Sequence, residues 1–242
     1  MELIDKKIVI TGGTSGIGLE VVRALAPMNQ IIVIARNSKK LSQLAETFNI
    51  TPYQCDLSDL EQVKQTAAAI KSDHPTLDVL INNAAVQFEP TFISRDFSYD
   101  NIESEITTNL TSVCCLTSML LPTLLASSRA AVVNVNSGLA LVPKTSSAVY
   151  CATKSALHAF STSLRYQLAD TNISVYQSLM PLVETNMTAG RGTGKMSPEE
   201  AASQLISGIE RGVEDNDIGK VKILRWLTRI APSAAAKLMK AS

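Results

Sequence analysis

The sequence predicts an α/β domain built on a doubly wound, mostly parallel sheet with helices on both faces. Three observations predict it. Short β-rich runs alternate with helix-length segments, the runs are apolar almost without alternation, and a glycine-rich turn follows the first of them. A strand that is apolar at nearly every position is covered on both faces, as crossover helices cover a parallel sheet. At 242 residues the chain fits one such domain and is long enough to bury roughly 70–75% of its unfolded surface.

The first strand is KIVIT, Lys7–Thr11, and TGGTSGIG, Thr11–Gly18, carries it into the helical LEVVRALA. Glycines 12, 16 and 18 permit a tight turn and close approach of backbone to a pyrophosphate, which a helix N-terminus also attracts. QIIVIA, TPYQCDL, LDVLINN, AAVVNVNS and ISVYQSLMP are the next five strands. Before the last of these, a run free of Gly and Pro predicts a helix from about Ser147 to Ala169, with Ala152, Ala156, Ala159, Phe160 and Leu164 on its apolar side. An irregular, Gly-containing loop follows Pro181, at the strand end where ligands bind in open α/β sheets. SPEEAASQLISGIERG then opens a helix with Ser197 as N-cap, Pro198 at the first position and Glu200 completing a capping box. This organisation reads as one domain over residues 1–217, followed by a basic amphipathic tail over 218–242.

The 22 basic and 22 acidic residues balance, so no overall field draws the chain to nucleic acid. The balance conceals an asymmetry. Lys220, Lys222, Arg225, Arg229, Lys237 and Lys240 follow Ile218 with no acid among them, leaving 16 basic against 22 acidic residues, a net −6, before it. In the tail, Lys222, Arg225 and Arg229 share one helical face while Ile223, Leu227 and Ile230 share another. Such a helix either packs on its own domain or a partner, or makes peripheral contact with an anionic membrane. Cys55, Cys114, Cys115 and Cys151 show no C-x-x-C spacing, and His74 and His158 lie far apart, so no metal site is expected. The acidic N-terminus runs straight into a strand, and LTSMLLPTLLA is too short to span a bilayer; the expected compartment is the cytoplasm.

Tyr150 and Lys154, in AVYCATKSAL, lie one helical turn apart on one face. A free phenol, with a pKa of about 10, releases its proton poorly at neutral pH. An ammonium about 4 Å away, at an effective dielectric near 20, would favour the phenolate by roughly 4 kcal/mol, or about 3 pK units. No G-x-S-x-G elbow or recognisable triad order accompanies the serines, which argues against a nucleophilic hydrolase. At the end of the second strand stand Ala35 and Arg36, with Lys39 and Lys40 nearby and no acid before Glu46. An acid there would bind the ribose hydroxyls of NAD, whereas a guanidinium can neutralise the 2′-phosphate of NADP.

With its landmarks in order, the chain resembles the short-chain dehydrogenase/reductase family over nearly its whole length. They are the TGxxxGxG turn, CDL at 55–57, NNAA at 82–85, Asn109, Ser137 in NVNSG, Tyr150 with Lys154, and PLVET at 181–185. The resemblance implies a single-domain Rossmann fold and an oxidoreductase interconverting a carbonyl and an alcohol; Arg36, with the acid missing, makes NADP the expected cofactor and NAD the less favoured one. It implies Tyr150 as acid or base, Lys154 as its partner and a ribose ligand, Ser137 holding the substrate oxygen, and Asn109 keeping a water in a proton relay that ends at Lys154. The implied cofactor set is Gly12, Thr14, Ser15, Gly16, Ile17, Gly18, Arg36, Asp56, Leu57, Asn83, Ala84, Tyr150, Lys154, Pro181, Val183 and Thr185. Asn83 has a second reading, a strand terminus whose side chain bonds local backbone.

Two positions depart from the family pattern: Ala85 and Leu182 each stand where glycine is usual, and Leu182 is expected to narrow the pocket mouth. A lid is expected over about Glu184–Lys195. Segments 100–125 and 147–169 resemble the family's interface helices, implying a homodimer or homotetramer. NVNSGLALVP, VYCATKSALHAFSTSLR and QLADT most resemble a dehydrogenase-like subgroup found with teichoic-acid D-alanylation genes. Two other readings stay open: a sensor that binds NADP without turnover, and a membrane-recruitment module built around the tail.

Overall fold

The structure, a computed structural model, describes residues 1–240. The six expected runs are strands, three with the expected bounds and three with shifted ends: β1 (Lys7–Thr11), β2 (Gln30–Ala35), β3 (Ile50–Gln54), β4 (Val79–Asn82), β5 (Ala130–Ser137) and β6 (Ile173–Met180). A seventh, β7 (Asp215–Asp217), joins them, and the order β3-β2-β1-β4-β5-β6-β7 is parallel throughout. Sequence reading missed β7 because Asp-Asn-Asp has no apolar signature. Its pairing with β6, Gln177 opposite Asp215 and Leu179 opposite Asp217, makes it a strand.

Helices α1 (Gly16–Leu25), α2 (Ser38–Thr47) and α3 (Leu60–Asp73) link the first four strands, and α4 (Tyr99–Ile106), α5 (Ser112–Leu125) and α6 (Ala148–Gln167) come next. The chain closes with α7 (Pro198–Glu210), α8 (Val221–Ile230) and α9 (Pro232–Lys240). Alternate strand residues feed two cores. Ile8, Ile10, Val33 and Val133 pack with Val21 of α1, Leu41 of α2 and Leu205 of α7; Val9, Ile32, Ile34 and Val132 pack with Val63 of α3, Leu120 of α5 and Leu164 of α6. The strands therefore read as apolar at every position because both faces are buried.

Tyr99–Leu125 is helical for 27 residues and apolar enough to cross a membrane. Leu116, Leu120 and Leu124 are nonetheless buried against the sheet, which makes this segment a layer of the fold. Ser197 caps α7 by accepting from the Glu200 N–H at 3.1 Å. The expected capping box is only half made, because the Glu200 carboxylate instead accepts from Gln204 at 3.1 Å.

Residues 218–240 turn back onto the body. Ile218, Val221 and Ala235 are buried, and Arg225 leaves the basic face to form a bidentate pair with Asp217. Thr145 donates to the Lys240 carbonyl at 2.8 Å, fastening α9 beside the entrance to α6.

Candidate active site

The strand order reverses between β1 and β4, and ligand crevices in open α/β sheets form at such a point. There the carboxyl ends of the strands border a cavity of about 790 Å³. Gly12, Ser15, Gly16, Ile17, Asn83 and Ala84 line one end. Gly12 (φ +71°) and Gly16 (φ +54°) adopt left-handed backbone. A Cβ on Gly16 would lie 3.0 Å from the Thr185 methyl, and one on Gly18 would lie 2.4 Å from the Gly12 carbonyl oxygen. The turn is thus a cradle that side chains would fill, with Ser15 as the N-cap of α1, and it suits a pyrophosphate.

Asn83 holds this cradle in place. Its amide donates to the carbonyls of Thr11 (2.9 Å) and Gly12 (3.3 Å), while the Thr11 hydroxyl accepts from the backbones of Asn83 and Ala84. The local-backbone reading of Asn83 is therefore present, and the residue also faces the cavity. Ala85 lines the cavity as well, so its methyl is accommodated. Beyond β2, Arg36 is 75% exposed and lies 3.7 Å from Asp56. Burial pushes the Asp56 carboxyl up, but hydrogen bonds from Ser58 and the nearby Arg36 outweigh it and hold the group below the usual carboxylate range.

At the other end Ser137, Tyr150 and Lys154 converge, from the end of β5 and the first turns of α6. The Ser137 hydroxyl accepts from the Leu139 N–H at 3.2 Å and lines the same cavity as the Tyr150 phenol. Lys154, 3% exposed, donates to the Val135 carbonyl at 2.9 Å and stands 5.6 Å from the Tyr150 ring centre. Burial pushes the phenol above its ordinary 10 and draws the ammonium down to about 8. In the protein itself desolvation of Tyr150 therefore outweighs the lowering expected from Lys154, and the phenol is held in its protonated form.

Asn109 is buried in a π-helical turn, Thr107–Thr111, between α4 and α5. The pattern ITTNLTSV around it is that of an ordinary helix, where Asn is a poor former; a π turn inside a helix is frequently found at functional sites. Its amide both accepts from and donates to Val86 backbone at 2.8 Å and donates to Thr153 at 3.3 Å. It does not line the cavity; it ties the loop after β4 to the helix that carries Tyr150 and Lys154.

Residues 6–195 match the profile of the short chain dehydrogenase family. The chain belongs to that family. It is 34% identical over 239 residues to the uncharacterized oxidoreductase DltE of Bacillus subtilis (strain 168), covering 95% of this chain and 94% of that one. A short chain dehydrogenase from Burkholderia cenocepacia J2315 in complex with NADP superposes with a TM-score of 0.88, at 21% identity over 99% of each chain. A short chain dehydrogenase/reductase from Burkholderia phymatum in complex with NAD does so with a TM-score of 0.83, at 18% identity over 95% of this chain and 96% of that one. At such identities the two structures speak for the fold alone.

Several walls of this dehydrogenase's cavity were absent from the sequence reading. Gln87, Lys144 and Arg191 face it, with Val221, Leu224, Leu227, Leu238 and Met239 from α8 and α9. Arg191, in the segment expected as a lid, donates to Gln87 at 2.8 Å and pairs with Glu89 at 3.3 Å, while Lys144 pairs with the same carboxylate at 3.2 Å. A glycine-rich loop holding one arginine gives no sequence clue to that latch. Pro181, Leu182, Val183 and Thr185 line the cavity as well, and Leu182 packs so closely on Gly192 that a Cβ there would lie 2.5 Å from its Cδ2. Leu182 thus packs against the segment expected as a lid. Of the expected cofactor residues, Thr14, Gly18, Arg36, Asp56 and Leu57 do not line the cavity.

Gly18 provides a direct test of the cradle. Gly18→Ala is expected to destabilise the protein by about 1–3 kcal/mol, since Gly12 backbone must move, lowering the Tm by roughly 3–10 °C. It is also expected to abolish any Tm increase that added NADPH gives the parent. A retained NADPH-induced increase would show that the turn does not hold the pyrophosphate.

Proposed function

We propose that this dehydrogenase interconverts a carbonyl compound and an alcohol with NADP as cofactor, and that the protein alone is poised for reduction. The observation that carries the reading is the meeting of Ser137, Tyr150 and Lys154 in the same cavity as the glycine cradle. The bound nicotinamide supplies or accepts the hydride. Tyr150, kept protonated by its burial, gives its proton to the oxygen that becomes an alkoxide, and Ser137 holds that oxygen beside it. Lys154, buried and cationic below about pH 8, stabilises the phenolate left behind and reaches toward the ribose. Asn109 orients α6 against the loop after β4 and keeps a relay water near Lys154.

The remaining cofactor contacts are assigned to Gly12, Thr14, Ser15, Gly16, Ile17 and Gly18 at the pyrophosphate, Asp56 and Leu57 at the adenine, Asn83 and Ala84 at the ribose, and Pro181, Val183 and Thr185 at the nicotinamide. Because one structural neighbour carries NADP and another NAD, the preference rests on this chain's own Arg36. Its exposed pair with Asp56 contributes little and leaves the guanidinium available to a 2′-phosphate. The exposed Ile106, Leu125 and Tyr166 of α4, α5 and α6 support a homo-oligomer through these helices.

The test is NADPH oxidation with a panel of ketones and aldehydes. Turnover of at least one is expected; tight NADPH binding with none turned over would favour a sensor. Arg36→Ala is expected to raise the NADPH KM about 10–100-fold, the worth of one charge-assisted hydrogen bond, and to leave the NADH KM nearly unchanged. Equal changes for both would overturn the NADP assignment.

A further inference from the structure

The outer side of α8 is unusual for the surface of this molecule. Ile223, Trp226 and Ile230 recur on one helical face and are 67%, 62% and 57% exposed, and Leu238 of α9 is 60% exposed. Lys222 and Arg229 flank that stripe on exposed positions, and Lys237 and Lys240 add charge from α9. The patch is also continuous with the cavity, because Ile223 and Leu238 belong to both the exposed face and the cavity lining. On the inner side Val221, Leu224 and Leu227 give that end of the cavity an aliphatic wall.

We propose that the α8–α9 face docks on an anionic membrane surface and that the cavity takes from it a carbonyl compound with an aliphatic body. The second half rests on the oxidoreductase reading above. Charge selects the occupant. The segment from Ile218 carries six basic residues and no acid, so a second copy packed by the same face across a two-fold axis would set like charges opposite one another. Anionic headgroups match the flank, while the stripe enters the boundary between headgroups and acyl chains, the depth at which Trp is enriched. A lipophilic substrate leaving the membrane at Ile223 and Leu238 then meets the aliphatic wall before reaching Ser137 and Tyr150.

The test is co-sedimentation of the full chain with vesicles of phosphatidylcholine alone and of phosphatidylcholine mixed equally with phosphatidylglycerol. Two double variants accompany it, Lys222→Glu with Arg229→Glu and Trp226→Ser with Ile230→Ser; none of these four residues lines the cavity. Binding only to the anionic vesicles is expected. Each basic side chain at such a surface is worth about fivefold in partitioning, so the charge variant is expected to bind on the order of 30-fold more weakly or worse. The serine variant is expected to lose binding as well. Reduction of a long-chain ketone supplied in anionic vesicles falls in both variants, while reduction of a short water-soluble ketone does not.

Equal sedimentation with both vesicle types, or unchanged partitioning in both variants, would overturn docking. So would loss of an oligomer in the serine variant with no vesicle binding by the parent, which would assign the face to a second copy. Failure to reduce any carbonyl would sink the oxidoreductase reading and leave the sedimentation result to judge the docking face.

Discussion

Tyr150→Phe is expected to lower kcat for carbonyl reduction by about 10²–10⁴-fold, the usual worth of a positioned general acid, and to leave NADPH binding nearly unchanged. The substitution removes only the phenolic oxygen from a ring that is 8% exposed, so packing is kept. Ser137 can still hydrogen-bond the substrate oxygen but has no acid behind it. The pH dependence follows from the direction of the Tyr150 shift. Burial holds the phenol protonated beyond its ordinary value of 10, so reduction by the parent is not limited by loss of the acid across neutral pH. Oxidation of the alcohol needs the phenolate, and its rate is expected to climb as pH rises. Stopped-flow measurement of hydride transfer in both directions checks this, and a Phe variant with the parent's kcat would remove Tyr150 from the chemistry.

Lys154→Met is expected to separate catalysis from stability. Activity falls by about 10²-fold or more, because the phenolate formed in the transition state loses its cation. Stability moves the other way at neutral pH. The folded protein holds this ammonium down to about 8 from an ordinary 10.5, so from about pH 8 to 10.5 the unfolded chain binds a proton that the folded chain does not. Parental stability therefore rises with pH through that window, by about 3 kcal/mol in total, and this contribution is missing at pH 7. Methionine fills a similar volume without the desolvation cost, although it leaves the Val135 carbonyl without its 2.9 Å partner. A net gain of about 1–2 kcal/mol at pH 7 is expected, narrowing as pH rises. Denaturation of the cofactor-free proteins at pH 7 and pH 10 checks it; parallel pH dependence in the two would show that Lys154 is not the group responsible.

Much of this is legible in the amino-acid sequence. The strands could be placed because residues such as Ile8, Val9 and Ile10 are apolar on successive positions, which occurs when both faces of a sheet are covered. The cradle at Gly12, Gly16 and Gly18 was legible because only glycine accepts its backbone angles and close approaches. Tyr150 and Lys154 were legible because a helix fixes the relation of residues four apart. The π turn around Asn109 was not, because the pattern of TTNLT is compatible with an α-helix and the bulge is set by the bonds of Asn109 to Val86.

The sequence by itself determined the alternation of strands and helices, the turn that can accept a pyrophosphate, and the spacing of Ser137, Tyr150 and Lys154, since each is a local consequence of chain geometry. Only the tertiary structure decided what surrounds them. Burial, which depends on everything packed around the ring, turned the expected lowering of the Tyr150 phenol into a rise. Contacts far apart in sequence, such as Arg191 with Glu89 and Thr145 with Lys240, hold the segment after Pro181 and bring α9 to the cavity, while the shorter-range pair of Arg225 with Asp217 holds α8 against β7. Periodicity can say that Ile223, Leu224 and Leu227 are apolar; which of them face the cavity and which face outward is settled by where the folded body lies.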